Sequence, residues 1–230
     1  MKITAAIGVG ILKPTEILKN IPIFSSLNDD DLSELSMAAV KKAFLKNTVL
    51  LNEGDETDSL YIICSGKVKA IINDENGKEV ILSIFGPGEY FGEIAFIDGE
   101  RRSATVITRE PTEVLIISSG VFRDIFSSNP NMAFNLLVGA VKRLREATKQ
   151  IESLALMDVY GRVARLLVNY AKPKGDKLFI EEKLTHQEIA NMTGSSREMV
   201  SRIFKDLLTG EYISIENRHI TINKPLPYSW

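Results

Sequence analysis

Residues 91–106 read Phe-Gly-Glu-Ile-Ala-Phe-Ile-Asp-Gly-Glu-Arg-Arg-Ser-Ala-Thr-Val. Gly92, Glu93, Ile94, Ala95 and Phe96 predict one helical turn after a strand, and the free backbone N–H groups of such a turn favour an anion. Nine residues after Glu93 comes Arg102, followed by Ser103. A guanidinium fork suits the oxygen pair of a phosphate diester, with a hydroxyl and amides completing the shell. A carboxylate beside an anion site is explained if the ligand also donates from a hydroxyl, as a ribose does. A 3′,5′-cyclic nucleotide has both groups. Spacing alone leaves two alternatives open: Glu93 and Arg102 pair with each other, or Arg102 is solvated.

A second constellation lies near the other end of the chain. Thr185-His186-Gln187-Glu188 is a capping box opening a helix. Thr193-Gly194-Ser195 is a turn, and Ser195 or Ser196 caps a second helix running to about Leu208. That is helix-turn-helix spacing. On a wheel of about 100° per residue, Arg197, Glu198, Ser201, Arg202 and Lys205 share one face, opposite Val200, Ile203, Phe204 and Leu207. Arg reads guanine, Glu accepts from cytosine and Lys neutralises phosphate. The plainer alternatives are that Glu198 only serves the cap and that the charged face is only solvated. Tyr212–Ile215, a turn at Asn217 and His219–Ile222 predict a hairpin wing, with Arg218 at its tip and His219 close enough to touch phosphate.

Other segments must position these residues. Thr48–Leu51, Leu60–Ile63, Val68–Ile72, Val80–Phe85 and Thr105–Ile107 are short aliphatic runs punctuated by glycines, the mark of a sandwich or barrel. Asn76-Gly77 predicts a hairpin turn, and Asn28 through Leu32 starts a short helix. From Asn131 to Met157 apolar residues recur at 134, 137, 141, 144, 151 and 155, a heptad seam once Thr148 is included. Such a helix pairs with another helix or lies on its own domain. Thr148 is either a tolerated filler or faces something polar held between two helices.

These residues together resemble the CRP/FNR family of bacterial transcription regulators over about residues 20–222. The cassette is similar to the phosphate-binding cassette of cyclic-nucleotide-binding domains, with Gly92 and Glu93 matching the ribose contacts and Arg102 and Ser103 the phosphate contacts. Ser196-Arg197-Glu198-x-Val200-x-Arg202 is similar to the recognition helix of the family's cyclic-AMP-responsive members. The resemblance implies Arg197, Glu198 and Arg202 as base readers, Thr185, Gln187 and Ser196 as phosphate contacts, and half-sites similar to TGTGA. It implies an α+β fold: an N-terminal extension over 1–20, a jelly-roll-like β-roll sensor over 21–130, a dimerisation helix over 131–157 and a winged helix-turn-helix over 158–230. It also implies a homodimer on double-stranded DNA, gated by a cyclic nucleotide, cyclic AMP before others, with Thr148 near the base. RNA polymerase enters as a further partner, by analogy alone, through Ala171–Asp176. Departures are Ala147 where the cyclic-AMP-responsive members carry a first hydroxyl, and His186 where they carry an arginine. The alternative function is a regulator of the same family that answers cyclic GMP or a cyclic dinucleotide, or is active without ligand. An enzyme or kinase-regulatory subunit using the same nucleotide module is the rival from another class.

Composition agrees. Of 230 residues, 44% are hydrophobic, so a sizeable core is expected. The net charge of −2 excludes a protein that grips nucleic acid by bulk charge. Residues 158–230 carry +2 and the rest −4. One cysteine, Cys64, and two histidines exclude a disulfide framework and an iron–sulfur cluster within one chain, and make haem or a metal site unexpected. A reduced cytoplasm fits this cysteine usage. No membrane span is expected, and Ile3–Leu12 reads as an N-terminal extension rather than a signal peptide. No nucleophile–base pair or phosphate-cradling Walker loop is present, so no catalysis is expected. The loop Lys172–Asp176 is exposed by composition.

Overall fold

The structure is a computed structural model and describes residues 14–227. The apolar run Ile3–Leu12 lies outside the described residues. The described chain divides into two compact units. One takes the chain up to Ala70 together with Ser83–Val141, and the other takes Ile71–Leu82 and everything from Lys142 onward.

The first unit opens with α1 (Pro14–Lys19), a 3-10 turn at Pro22–Phe24 and α2 (Asp29–Ala38). The Asn28 side chain accepts from Asp31 N at 2.8 Å, and three aspartates fill the first turn of α2, where the helix dipole favours them. Eight strands follow along the chain, the second half of β4 and most of β5 being grouped with the other unit: β1 (Val40–Phe44), β2 (Val49–Leu51), β3 (Leu60–Ser65), β4 (Val68–Asn73), β5 (Glu79–Phe85), β6 (Tyr90–Phe91), and, after α3 (Glu93–Asp98), β7 (Thr105–Thr108) and β8 (Thr112–Ile117). They form two four-stranded sheets, ordered β1-β8-β3-β6 and β2-β7-β4-β5. Val68, Val106, Val114, Ile63 and Leu51 share one buried cluster, while Leu60, Ile62, Leu115 and Ile117 share another with Leu32 and Leu35 of α2. The β3–β4 turn requires glycine: Gly66 has φ +80°, and a Cβ there would overlap Pro111 O and Thr112 Oγ1.

α4 (Ser119–Ser128) and the 27-residue α5 (Pro130–Leu156) follow. α5 has two apolar faces. Met132 and Leu136 are buried in the first unit's core, while Phe134, Leu137, Val141, Leu144 and Ile151 are exposed, Leu144 by 66%. The heptad seam is therefore not the face that lies on the chain's own core.

The second unit contains α6 (Val159–Tyr170), capped by Asp158 accepting from Gly161 N at 2.7 Å. β9 (Ala171–Lys174), β10 (Lys177–Ile180), α7 (His186–Thr193), α8 (Arg197–Thr209), β11 (Ile213–Glu216) and β12 (His219–Ile222) complete it. Its sheet runs β11-β12-β10-β9, and Val163, Leu167, Ile189, Val200, Phe204, Leu207 and Ile220 fill its core. Here the structure corrects one expectation. Lys172–Asp176 is not simply a loop: its first half is strand β9, paired with β10 around a turn at Gly175. Pro173 is tolerated because β9 is the edge of the sheet, where a missing N–H loses no ladder bond. Among the described residues no helix is long and apolar enough to cross a membrane, and no cluster of three potential metal ligands occurs.

Candidate functional site

Gly92 caps α3 with φ +88°, a left-handed conformation that favours glycine. Space demands the same residue. A Cβ at Gly92 would lie 2.8 Å from Arg102 Nη1 and 2.9 Å from Ser59 O. The backbone of the helix start is thus pressed against the guanidinium, and Gly92 and Arg102, ten positions apart, form one site.

Arg102 is 3% exposed. Its Nε donates to Thr57 Oγ1 at 2.9 Å, Nη1 to Gly92 O at 2.6 Å and Nη2 to Ser59 O at 2.8 Å. Three bonds leave two of a guanidinium's five donors for an anion. Its own backbone is tied to the Gly54–Asp55 loop, since Gly54 N donates to Arg102 O and Arg102 N donates to Asp55 O. Burial pulls its pKa below the ordinary arginine value, opposed by Tyr61, Asp58, Glu93 and Asp55. It remains a cation, because an arginine cannot be deprotonated in this environment. Glu93 is 6% exposed and close enough to stabilise that charge. Neither simple alternative from spacing holds alone: Arg102 is not solvated, and its hydrogen bonds run to Thr57, Ser59 and Gly92. Ala95 is buried in α3, while Ile94 and Ser103 are exposed. Thr148 is exposed on α5, its hydroxyl donating to Leu144 O at 2.9 Å.

Sequence reasoning missed Thr57 and Ser59. Their signal was present in the polar stretch Glu53–Ser59, but only the fold brings it against residue 102.

The second unit carries an exposed, charged helix face. The capping box is formed as expected, with Glu188 N donating to Thr185 Oγ1 and Thr185 N to Glu188 Oε2. Gly194 ends α7 at φ +62°. Ser196 caps α8, accepting from Met199 N, while Ser195 bonds Thr193. Arg197, Glu198, Arg202 and Lys205 are all exposed on α8, and Val200, Ile203, Phe204 and Leu207 are buried. The pKa of Glu198 is held below the ordinary carboxylate value by its backbone amide and Ser196, with Arg197 and Arg202 adding to the effect. Gln187 is exposed and donates to Asn191 Oδ1 at 2.8 Å. Arg218 is exposed at the tip of the β11–β12 hairpin, where Asn217 and Arg218 have φ of 50° and 66°. His186 bonds Ser201, a partnership the sequence did not announce.

Comparison with known proteins decides the family. Residues 41–129 match the cyclic nucleotide-binding domain model, and residues 161–225 match the Crp-like helix-turn-helix domain model. The chain is 36% identical over 196 residues to the cAMP-activated global transcriptional regulator CRP of Pasteurella multocida, covering 82% of this chain and 91% of that protein. The chain belongs to the CRP/FNR family of transcription regulators. The CRP-like cAMP-activated regulator of Mycobacterium tuberculosis is 30% identical over 212 residues, covering 90% of this chain and 95% of that protein. Among solved structures, the c-di-GMP responsive global regulator CLP of Xanthomonas campestris matches with a TM-score of 0.73 at 25% identity, covering 86% of this chain and all of that one. This family member is therefore a CRP-like transcription regulator, with a cyclic-nucleotide-binding domain and a DNA-binding helix-turn-helix domain.

Proposed function

We propose that the chain acts as a cytoplasmic homodimer that binds cyclic AMP and then reads two inverted TGTGA-like half-sites, without catalysis. Arg102 clamps the cyclic phosphate with its two remaining donors, and Ser103 and the amides around Ile94 and Ala95 complete the anion shell. Glu93 accepts from the ribose hydroxyl. Thr148, the hydroxyl on the α5 seam, faces the base. Ligand favours one register of the paired α5 helices, which continue into the hinge at Asp158 and aim both α8 helices at grooves about 34 Å apart. The ligand drives this only through its affinity difference between the two states. RNA polymerase is assigned to Ala171–Asp176 by resemblance alone.

The observation that carries this reading is a buried cation and a buried carboxylate brought together at Gly92, both types needed for a sugar phosphate. A second reading has its own support. Ala147 removes one of two hydroxyls expected near an adenine, and the relative CLP is c-di-GMP responsive. Calorimetry of the full chain with cyclic AMP, cyclic GMP and cyclic di-GMP separates the two. Saturable heat with cyclic AMP, one site per subunit, is expected. Binding of cyclic di-GMP alone would move the assignment to a dinucleotide, and binding of none would overturn the effector site.

Two substitutions test the DNA surface. Arg197→Ala should lose roughly 1–3 kcal/mol at one base position and relax specificity there, measured by competition among single-base operator variants. A uniform loss across all sequences would make Arg197 a backbone contact instead. Arg218→Gly acts in opposite directions on stability and binding. Glycine relieves a left-handed backbone that disfavours other residues by about 1–2 kcal/mol, so the thermal midpoint should rise. DNA affinity should fall evenly across sequences, with a shallower salt dependence, because a phosphate contact is lost. Unchanged salt dependence would remove Arg218 from the interface.

A further inference from the structure

His186 ties the two reader helices together at their exposed rim. It is the first residue of α7, half-buried, with its ring centroid 4.5 Å from that of Phe204 on α8. Its Nδ1 lies 2.9 Å from Ser201 Oγ, and Ser201 Oγ in turn donates to Arg197 O at 2.9 Å. A hydroxyl has one proton, and the Arg197 carbonyl can only accept it. With that proton on Arg197 O, the Ser201 oxygen accepts from the ring, which assigns the hydrogen to Nδ1 and leaves Nε2 as the basic nitrogen.

Burial and then the Arg197 guanidinium hold the pKa of His186 below the ordinary histidine value. On its own helix the nearby acid, Glu188, is turned back onto Thr185 N and Oγ1. The ring is accordingly neutral near neutral pH in the free protein. It lies within reach of the Arg197 charge, at the start of α7 between the exposed Thr185 and Gln187 in the chain. In a helix-turn-helix the first helix crosses the sugar–phosphate backbone while the second enters the groove. A duplex seated on α8 brings polyanion to the start of α7, offsetting Arg197 and favouring a second proton on the ring.

We infer that His186 takes up a proton when this chain binds DNA, presenting Nε2–H to the phosphate backbone while Nδ1–H keeps Ser201 and the start of α8 in place. The inference rests on the α7–α8 reading surface proposed above. It gives His186 a role that a permanently charged arginine could not have: it makes operator affinity depend on pH. The histidine pKa is higher in the complex than in the free protein, so binding tightens as pH falls through the bound-state pKa and levels off below the free-state pKa. A difference of one unit is about tenfold per histidine, and about 100-fold for two subunits on one palindrome.

The test is fluorescence anisotropy on a duplex carrying two inverted TGTGA half-sites, at constant ionic strength, from pH 5.5 to 8.5, with and without cyclic AMP. The full chain, His186→Gln and His219→Gln are compared, the last removing the only other histidine in the sequence. Titration in two buffers of different ionisation heat counts protons directly. The expected result is at least tenfold tightening toward low pH with proton uptake in the unaltered chain and in His219→Gln, and neither in His186→Gln. Equal pH profiles and proton counts for the unaltered chain and His186→Gln would overturn the inference while leaving DNA binding intact. Failure of all three proteins to bind the duplex at any pH would instead overturn the reading surface, and the inference with it.

Discussion

Arg102→Leu should abolish cyclic-nucleotide binding and also destabilise the sensor. Leucine removes the donors to Thr57 Oγ1, Gly92 O and Ser59 O from a site that is 3% exposed. Acceptors left buried without a partner cost about 1–3 kcal/mol each, less what water entering the site recovers. A net loss of about 2–4 kcal/mol is expected, read as a lower midpoint in thermal melting. Effector affinity should fall by at least about 100-fold, because the charge-assisted bonds to phosphate vanish. Since the same side chain holds the fold and the ligand, Arg102→Lys is the sharper probe. It keeps a cation in place but lacks the planar fork. The fold should survive better than with leucine, while affinity still drops steeply. Full effector binding by Arg102→Lys would show that charge alone suffices and that the fork is structural.

Leu144→Glu should turn a dimer into monomers. Leu144 is 66% exposed in the single chain and lies in the middle of the α5 seam with Val141 and Ile151. A helix pair seated on this seam would bury it, and two facing carboxylates there would lose apolar contact and repel. Because the side chain lies outside the core, stability of each unit should change by no more than about 0.5 kcal/mol. Operator affinity should fall by roughly 100-fold or more, since two half-sites are no longer bound as one unit. Sedimentation velocity checks the first effect and DNA titration the second. A Leu144→Glu protein that still sediments as a dimer would move the interface off this face.

Local signals in the sequence carried much of this architecture. The Asn28 and Thr185 caps, the Asn76-Gly77 turn and the wing around Asn217 depend on neighbours within four residues, and each formed where its residue types require it. Five strands rich in valine and isoleucine were readable too, whereas the equally aliphatic β8 (Thr112–Ile117) was missed. β1 (Val40–Phe44) was not readable, because an edge strand with exposed Lys41 and Lys42 has no apolar run. β9 was hidden by the same physics: Lys172, Pro173 and Lys174 look like a loop, and only the pairing with β10 reveals a strand. At the site, Gly92, Glu93 and Arg102 were singled out by residue type and by resemblance to the family cassette, while spacing alone left their pairing open. Their surroundings were not, since Thr57 and Ser59 reach Arg102 across more than forty residues of chain. The His186–Ser201 bond was equally invisible, because it depends on how α7 crosses α8.

In the proposed mechanism, a small cyclic phosphate at Arg102 and Glu93 controls the pair of α8 recognition helices. The most direct measurement is the affinity of the purified full chain for an inverted TGTGA duplex, with and without saturating cyclic AMP, at fixed salt and pH. Binding tighter by about 10- to 100-fold with cyclic AMP is expected, within the usual range of allosteric coupling, with loss of that difference in Arg102→Lys. Equal affinity in the presence and absence of cyclic AMP, cyclic GMP and cyclic di-GMP alike would contradict it.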